Sequence, residues 1–100
     1  MKQKTPKALR YKSADSFGRA LGLTAIDMQL IRQKKKLIEK LRRTREQRGL
    51  SQAALASLVG SKQPAIARME SGQVAEVSLD FICKVALALH VHVRISPQAA

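Results

Sequence analysis

The chain has 100 residues, enough for one domain and too few for a second core. Hydrophobic residues make up 45%, but with no Trp, one Tyr and two Phe the core must be aliphatic, as in small helical bundles. The net charge is +12, and residues 1–50 supply nearly all of it: fifteen Lys and Arg against four acids, where residues 51–100 hold four against three.

A field of that size favours a polyanion, with a basic soluble surface or a membrane-surface helix as the plainer readings. No stretch approaches the roughly 20 apolar residues of a membrane span. The basic N-terminus has no hydrophobic region behind it to make a secretory signal, so the cytoplasm is the expected compartment. Cys83 is the only cysteine, which excludes an intramolecular disulfide. It lies in an apolar helical run and reads as a small buried hydrophobe.

In chain order, residues 1–12 carry Lys2, Lys4, Lys7, Arg10 and Lys12 with no acid, interrupted by Pro6. They read as a basic flexible arm, able to lie along phosphates or simply solvated. Residues 13–36 form an N-terminal helical extension. A short helix is expected from Ser13 through Phe17, Ala20 and Leu21 to Gly22, and Thr24 with Asp27 then makes a capping box that opens a long helix to Arg48. Ile31, Ile38 and Leu41 share one face of that helix, with Met28, Leu30 and Leu37 beside it. Its other faces carry Arg32, Lys34, Lys35, Lys36, Lys40, Arg42, Arg43 and Arg48, expected to be largely unpaired: a solvated face or a phosphate-facing strip.

Residues 37–89 form the central domain. Ser51 is the expected N-cap of a helix whose apolar stripe is Leu55, Leu58 and Val59, with Ala56 small enough to let a second helix cross closely. Gly60 can take positive φ and end it. Ser61 offers a second N-cap for a helix running to Gly72, with Ile66 and Met69 inward and Lys62, Gln63, Ala65 and Arg68 outward. Those groups read base edges: Arg suits guanine, Gln suits adenine, and a small apolar surface suits the thymine methyl. A loop at Gln73–Val77 precedes a last helix capped by Ser78, with Leu79, Ile82, Val85, Ala86 and Leu89 closing the core. His90 tolerates positive φ and can end that helix.

Residues 90–100 change period. Val91, Val93 and Ile95 alternate with His90, His92 and Arg94 up to Pro97, the pattern of a half-buried strand. A lone strand needs a partner: the same strand of a second copy across a dimer, or residues 8–12 of its own arm. His90 and His92 share a face, but two ligands without a Cys or acid at useful spacing make no metal site.

Arg45, then Gly49-Leu50-Ser51-Gln52, Leu55-Ala56, Gly60, Gln63, Ile66, Glu70 and Gly72 form a pattern that resembles the Xre or lambda-repressor-like helix-turn-helix family over about residues 37–89. The resemblance implies an all-α bundle of about five helices, with a long basic helix before the motif and a C-terminal strand paired across a dimer. It also implies that Arg45 pairs with Glu70 to lock two helices together. Lys62, Gln63, Ala65 and Arg68 would read bases. Gln52, Ser61, Gln73 and Arg43 would contact phosphates, Gln52 also bracing the recognition helix. Pro64 departs from the more polar residue of phage repressors, so specificity rests heavily on Gln63 and Arg68.

The implied partners are double-stranded DNA with a palindromic operator, a second copy of the chain, and a cognate toxin. A compact motif with a basic extension and a dimerising strand resembles the HipB-like and HigA-like antitoxins. That makes a sequence-specific repressor that autoregulates its promoter and neutralises a toxin, bacterial or phage-derived and nucleoid-associated. A stand-alone phage-type or Xre-type regulator and a protein-interaction adaptor on the same fold remain the alternatives. No Ser-His-acid, Cys-His or paired-carboxylate arrangement suggests an enzyme, and no cofactor is expected.

Overall fold

The computed structural model describes residues 14–22 and 24–94. The helices of the described residues are α1 (Ala14–Ala20), α2 (Ala25–Gln47), α3 (Gln52–Val59), α4 (Gln63–Glu70) and α5 (Leu79–Ala88), with a 3-10 turn at Val74–Glu76 between the last two. The chain divides into two compact units, residues 1–30 and 31–100.

In the first unit, α1 approaches the start of α2 because Gly18 has no side chain. A Cβ built there would lie 2.7 Å from Met28 Sδ, and Met28 is buried. Helix α2 opens on a closed capping box. The Asp27 carboxylate accepts from the Thr24 amide at 3.0 Å, and Thr24 Oγ1 accepts from the Asp27 amide at 3.0 Å. The basic arm, residues 1–12, lies outside the described residues.

In the second unit, Leu37, Ile38 and Leu41 of α2 meet Leu55, Ala56 and Val59 of α3, Ile66 and Met69 of α4, and Ile82, Val85, Ala86 and Leu89 from α5 and its C-cap in one aliphatic core. Two serines set helix starts in the same way. Ser51 Oγ accepts from the Ala54 amide and Ser78 Oγ from the Phe81 amide, each three residues on. Helix α3 ends on Gly60 at φ 69°, and α5 ends at His90 at φ 57°, the one non-glycine residue with positive φ among those described. The same device closes both ends: the Ser61 amide returns to Ala56 O at 2.8 Å and the Val91 amide to Ala86 O at 2.9 Å.

Several expectations need correction. Ser61 does not cap α4: the helix starts at Gln63, and Lys62 holds the cap position without a side-chain bond. A cap at Ser61 would reach for the amide three residues on, and that residue is Pro64, which has none. Leu58 is 60% exposed. Helix α3 turns Ala56 into the contact instead, where a small side chain allows close crossing, and that rotation carries Leu58 outward.

The basic residues of α2 are less free than expected. Arg42 bonds both Glu39 and Glu46, and Lys34 turns inward, donating to Val77 O at 2.7 Å and Val74 O at 3.2 Å. Cys83 is half-buried, not buried. Residues 91–94 have no regular secondary structure, and no strand occurs among the described residues. A ladder is defined by its partner, and among the described residues Val91 and Val93 have none to pair with. Ile95 and residues 8–12 lie outside the described residues.

Candidate nucleic-acid interface

Helix α4 is held by its apolar side and offers the other. Ile66 and Met69 are fully buried, while Lys62, Gln63, Pro64 and Arg68 are exposed and Ala65 is half-buried. Pro64 falls in the first turn, where its missing amide costs little. The presented surface is therefore one ammonium, one carboxamide, one guanidinium and a small apolar step.

Behind that surface runs a chain of polar bonds. Arg45 grips Glu70 with two parallel bonds, Nε to Oε2 at 2.7 Å and Nη2 to Oε1 at 2.9 Å, and its Nη1 donates to Leu50 O at 2.7 Å. The two side chains are 11% and 5% exposed, so the pair is almost out of water. The bond to Glu70 pushes the Arg45 guanidinium above its ordinary range and keeps it charged. Glu70 Oε1 also accepts from Gln52 Nε2 at 3.0 Å, and Gln52 Oε1 accepts from Gln63 Nε2 at 2.7 Å.

Each bond fixes the next amide's orientation. Because Glu70 is acceptor only, Gln52 must turn its NH2 inward and its oxygen outward, and Gln63 must then turn its NH2 toward Gln52. Gln63 is left with one N–H and its carbonyl oxygen, the donor and acceptor pair that matches the N7 and N6 edge of adenine in the major groove.

A shallow groove of about 290 Å3 runs along the other side of α4, lined by Ser61, Ala65 and Arg68 and by Glu76, Ser78 and Phe81. The structure thus gathers Gln52 with Gln63, and Ser61 with Ala65 and Arg68. Gln73 is exposed just before the 3-10 turn, outside that lining. Arg43 is not gathered with α4: it lies two residues from Arg45, nearly opposite it around α2, and its one acidic partner among the described residues is Glu39, at 3.7 Å.

Glu76 and Phe81 were not singled out by sequence. The spacing of Ser78 to Phe81 marks the cap, but the fold of the intervening turn decides which side chains meet Arg68. Among the described residues no group of three or more His, Cys, Asp or Glu is placed to hold a metal, and no helix is long and apolar enough to cross a membrane.

A family model described as helix-turn-helix matches residues 41–95, more than half of the chain. No curated protein and no solved structure matches it.

Proposed function

We propose, because the chain belongs to the helix-turn-helix family of DNA-binding regulators, that it is a dimeric, sequence-specific repressor that acts as the antitoxin of a toxin–antitoxin operon, in the manner of the HipB-like and HigA-like groups. The observation that carries the DNA-reading part is the orientation of Gln63, fixed through Gln52 by the nearly buried Arg45–Glu70 pair. A side chain whose donor and acceptor are set before binding loses little entropy on meeting a base edge.

In this reading Gln63 and Arg68 contact bases, with Lys62 and Ala65 beside them. Gln52, Ser61 and Gln73 contact phosphates beside α4, and Arg43 contacts phosphate on the far side of α2. Residues 37–89 are the reading domain, 13–36 its extension, 1–12 the arm and 90–100 the dimerising tail. Val91, Val93 and Ile95 pair with the same residues of a second copy. The irregular backbone of residues 91–94 and the exposed side chains of Val93 and Leu87 support that assignment.

A toxin partner finds support in the first unit. Leu21 and Ile26 are 63% and 80% exposed, and Leu30 is also exposed, which is apolar surface that reading DNA does not use. The test is retardation of the chain's own promoter fragment together with co-purification of the adjoining gene's product. Both are expected. Retardation alone leaves the stand-alone regulator, and co-purification alone leaves the interaction adaptor.

A further inference from the structure

Helix α2 keeps two kinds of cation on two sides. Lys34 and Arg45 sit on the core side: Arg45 reaches Glu70 at the end of α4, and Lys34 reaches the carbonyls of Val74 and Val77 just beyond it. At about 100° per residue, Lys36, Lys40 and Arg43 fall on the opposite side of the helix, spread over two turns or roughly 10 Å. All three are exposed. The two acids nearest them, Glu39 and Glu46, are committed to Arg42, whose bond holds the Glu39 carboxyl below the usual carboxylate range. Lys36 and Lys40 have no acidic partner among the described residues, and Arg43 has only the 3.7 Å approach to Glu39.

We infer that this back stripe of α2 is a second DNA-binding face, which grips the phosphate backbone of a duplex segment other than the one under α4. The stripe points away from α4, so both cannot lie on one straight stretch of duplex. Like charges one turn apart on a helix repel each other, and a phosphate backbone with one charge per about 1.7 Å of axis relieves that repulsion. The face of α4 brings only Lys62 and Arg68, so the three cations of the stripe raise those available for sequence-independent grip from two to five. The chain would then join two duplex segments, reading one and holding the other. This rests on the reading that α4 binds DNA.

The probe is a pair of unrelated random duplexes of about 20 base pairs, a length that admits little bending, one carrying a donor dye and the other an acceptor. The full chain is compared with Lys36→Gln/Lys40→Gln/Arg43→Gln and with Arg68→Ala, each checked for helix content by circular dichroism. The parent chain is expected to bring the two duplexes into energy transfer. The triple variant should lose that transfer, still retard a single duplex, and show a slope of log affinity against log salt smaller by about 2.7, with Lys40→Gln alone smaller by about 0.9. Energy transfer and slope unchanged in the triple variant, while Arg68→Ala weakens binding to a duplex selected by the parent chain from a random pool, would overturn the second face and leave the reading of α4 intact. Failure of the parent chain to bind either duplex overturns both. Vesicles of phosphatidylserine that bind the parent chain and not the triple variant, with no bridging of duplexes, assign the stripe to a membrane surface and overturn the proposal.

Discussion

Glu70 receives three donors, two from Arg45 and one from Gln52, and lies almost wholly out of water. Removing its carboxylate leaves a nearly buried guanidinium with only the half-exposed Glu46, 3.7 Å away, as counter-charge, so Glu70→Ala should lower unfolding free energy in urea by about 3 kcal/mol. Loss below about 0.5 kcal/mol would mean that the pair exchanges freely with water. Asp27 responds to acid. Its bonds from Thr24 hold the carboxyl below the usual carboxylate range. A depressed carboxyl contributes stability above its unfolded pKa and loses it as pH falls through the folded value. The start of α2 should therefore fray as pH drops below about 4, and helix content followed by circular dichroism should fall less with acid in Asp27→Asn.

These residues were legible for different reasons. Ser51, Ser78 and the Thr24–Asp27 box act within four residues, so sequence spacing fixes their partners. Ser61 looked the same and is not a cap, because the residue three along carries no amide. Leu58 misled for a tertiary reason: α3 could bury Leu58 or Ala56 at the crossing, and close approach of α4 chose the smaller.

At the scale of elements, the long helix α2 does more than carry charge. Lys34 ties it to the carbonyls of Val74 and Val77 on the loop that follows α4, so the end of α4 is held from both sides, by Arg45 at Glu70 and by Lys34 beyond it. Lys34→Met should leave two carbonyls short of a donor, lower stability by about 1–2 kcal/mol, and speed amide exchange at residues 74–77. Unchanged exchange there would show the loop to be held by its own backbone bonds and the packing of Val74 and Val77 without Lys34. Sequence could not distinguish Lys34 from its neighbours Lys35 and Lys36, since a lysine stem is long enough to serve water or a carbonyl. Only the folded path of the loop, forty residues away, decides. The tail is the opposite case: its alternation of Val91 and Val93 was plain in the sequence, but a strand needs a second strand, and none occurs among the described residues.

For the whole molecule, charge and specificity sit in different places. The half that holds α3, α4 and α5 is nearly neutral, and the half that precedes it holds most of the +12. Affinity should therefore be steeply salt-dependent while base choice is not. Pairing of two tails would set two α4 helices about one helical turn of DNA, roughly 34 Å, apart. Val93→Asp should then convert a sedimenting dimer to a monomer and shorten the protected footprint to one half-site, whereas an unchanged sedimentation coefficient would place the dimer contact elsewhere.

The central claim is that α4 reads sequence through Gln63 and Arg68. It is tested most directly by selecting bound duplexes from a random pool and measuring the affinity of the selected and a scrambled sequence for the parent chain and for Arg68→Ala. The account predicts a clear preference in the parent chain that Arg68→Ala reduces by about 1–3 kcal/mol, tenfold or so, with little change on the scrambled duplex. No enrichment from the pool, or an equal loss on both duplexes, would contradict it.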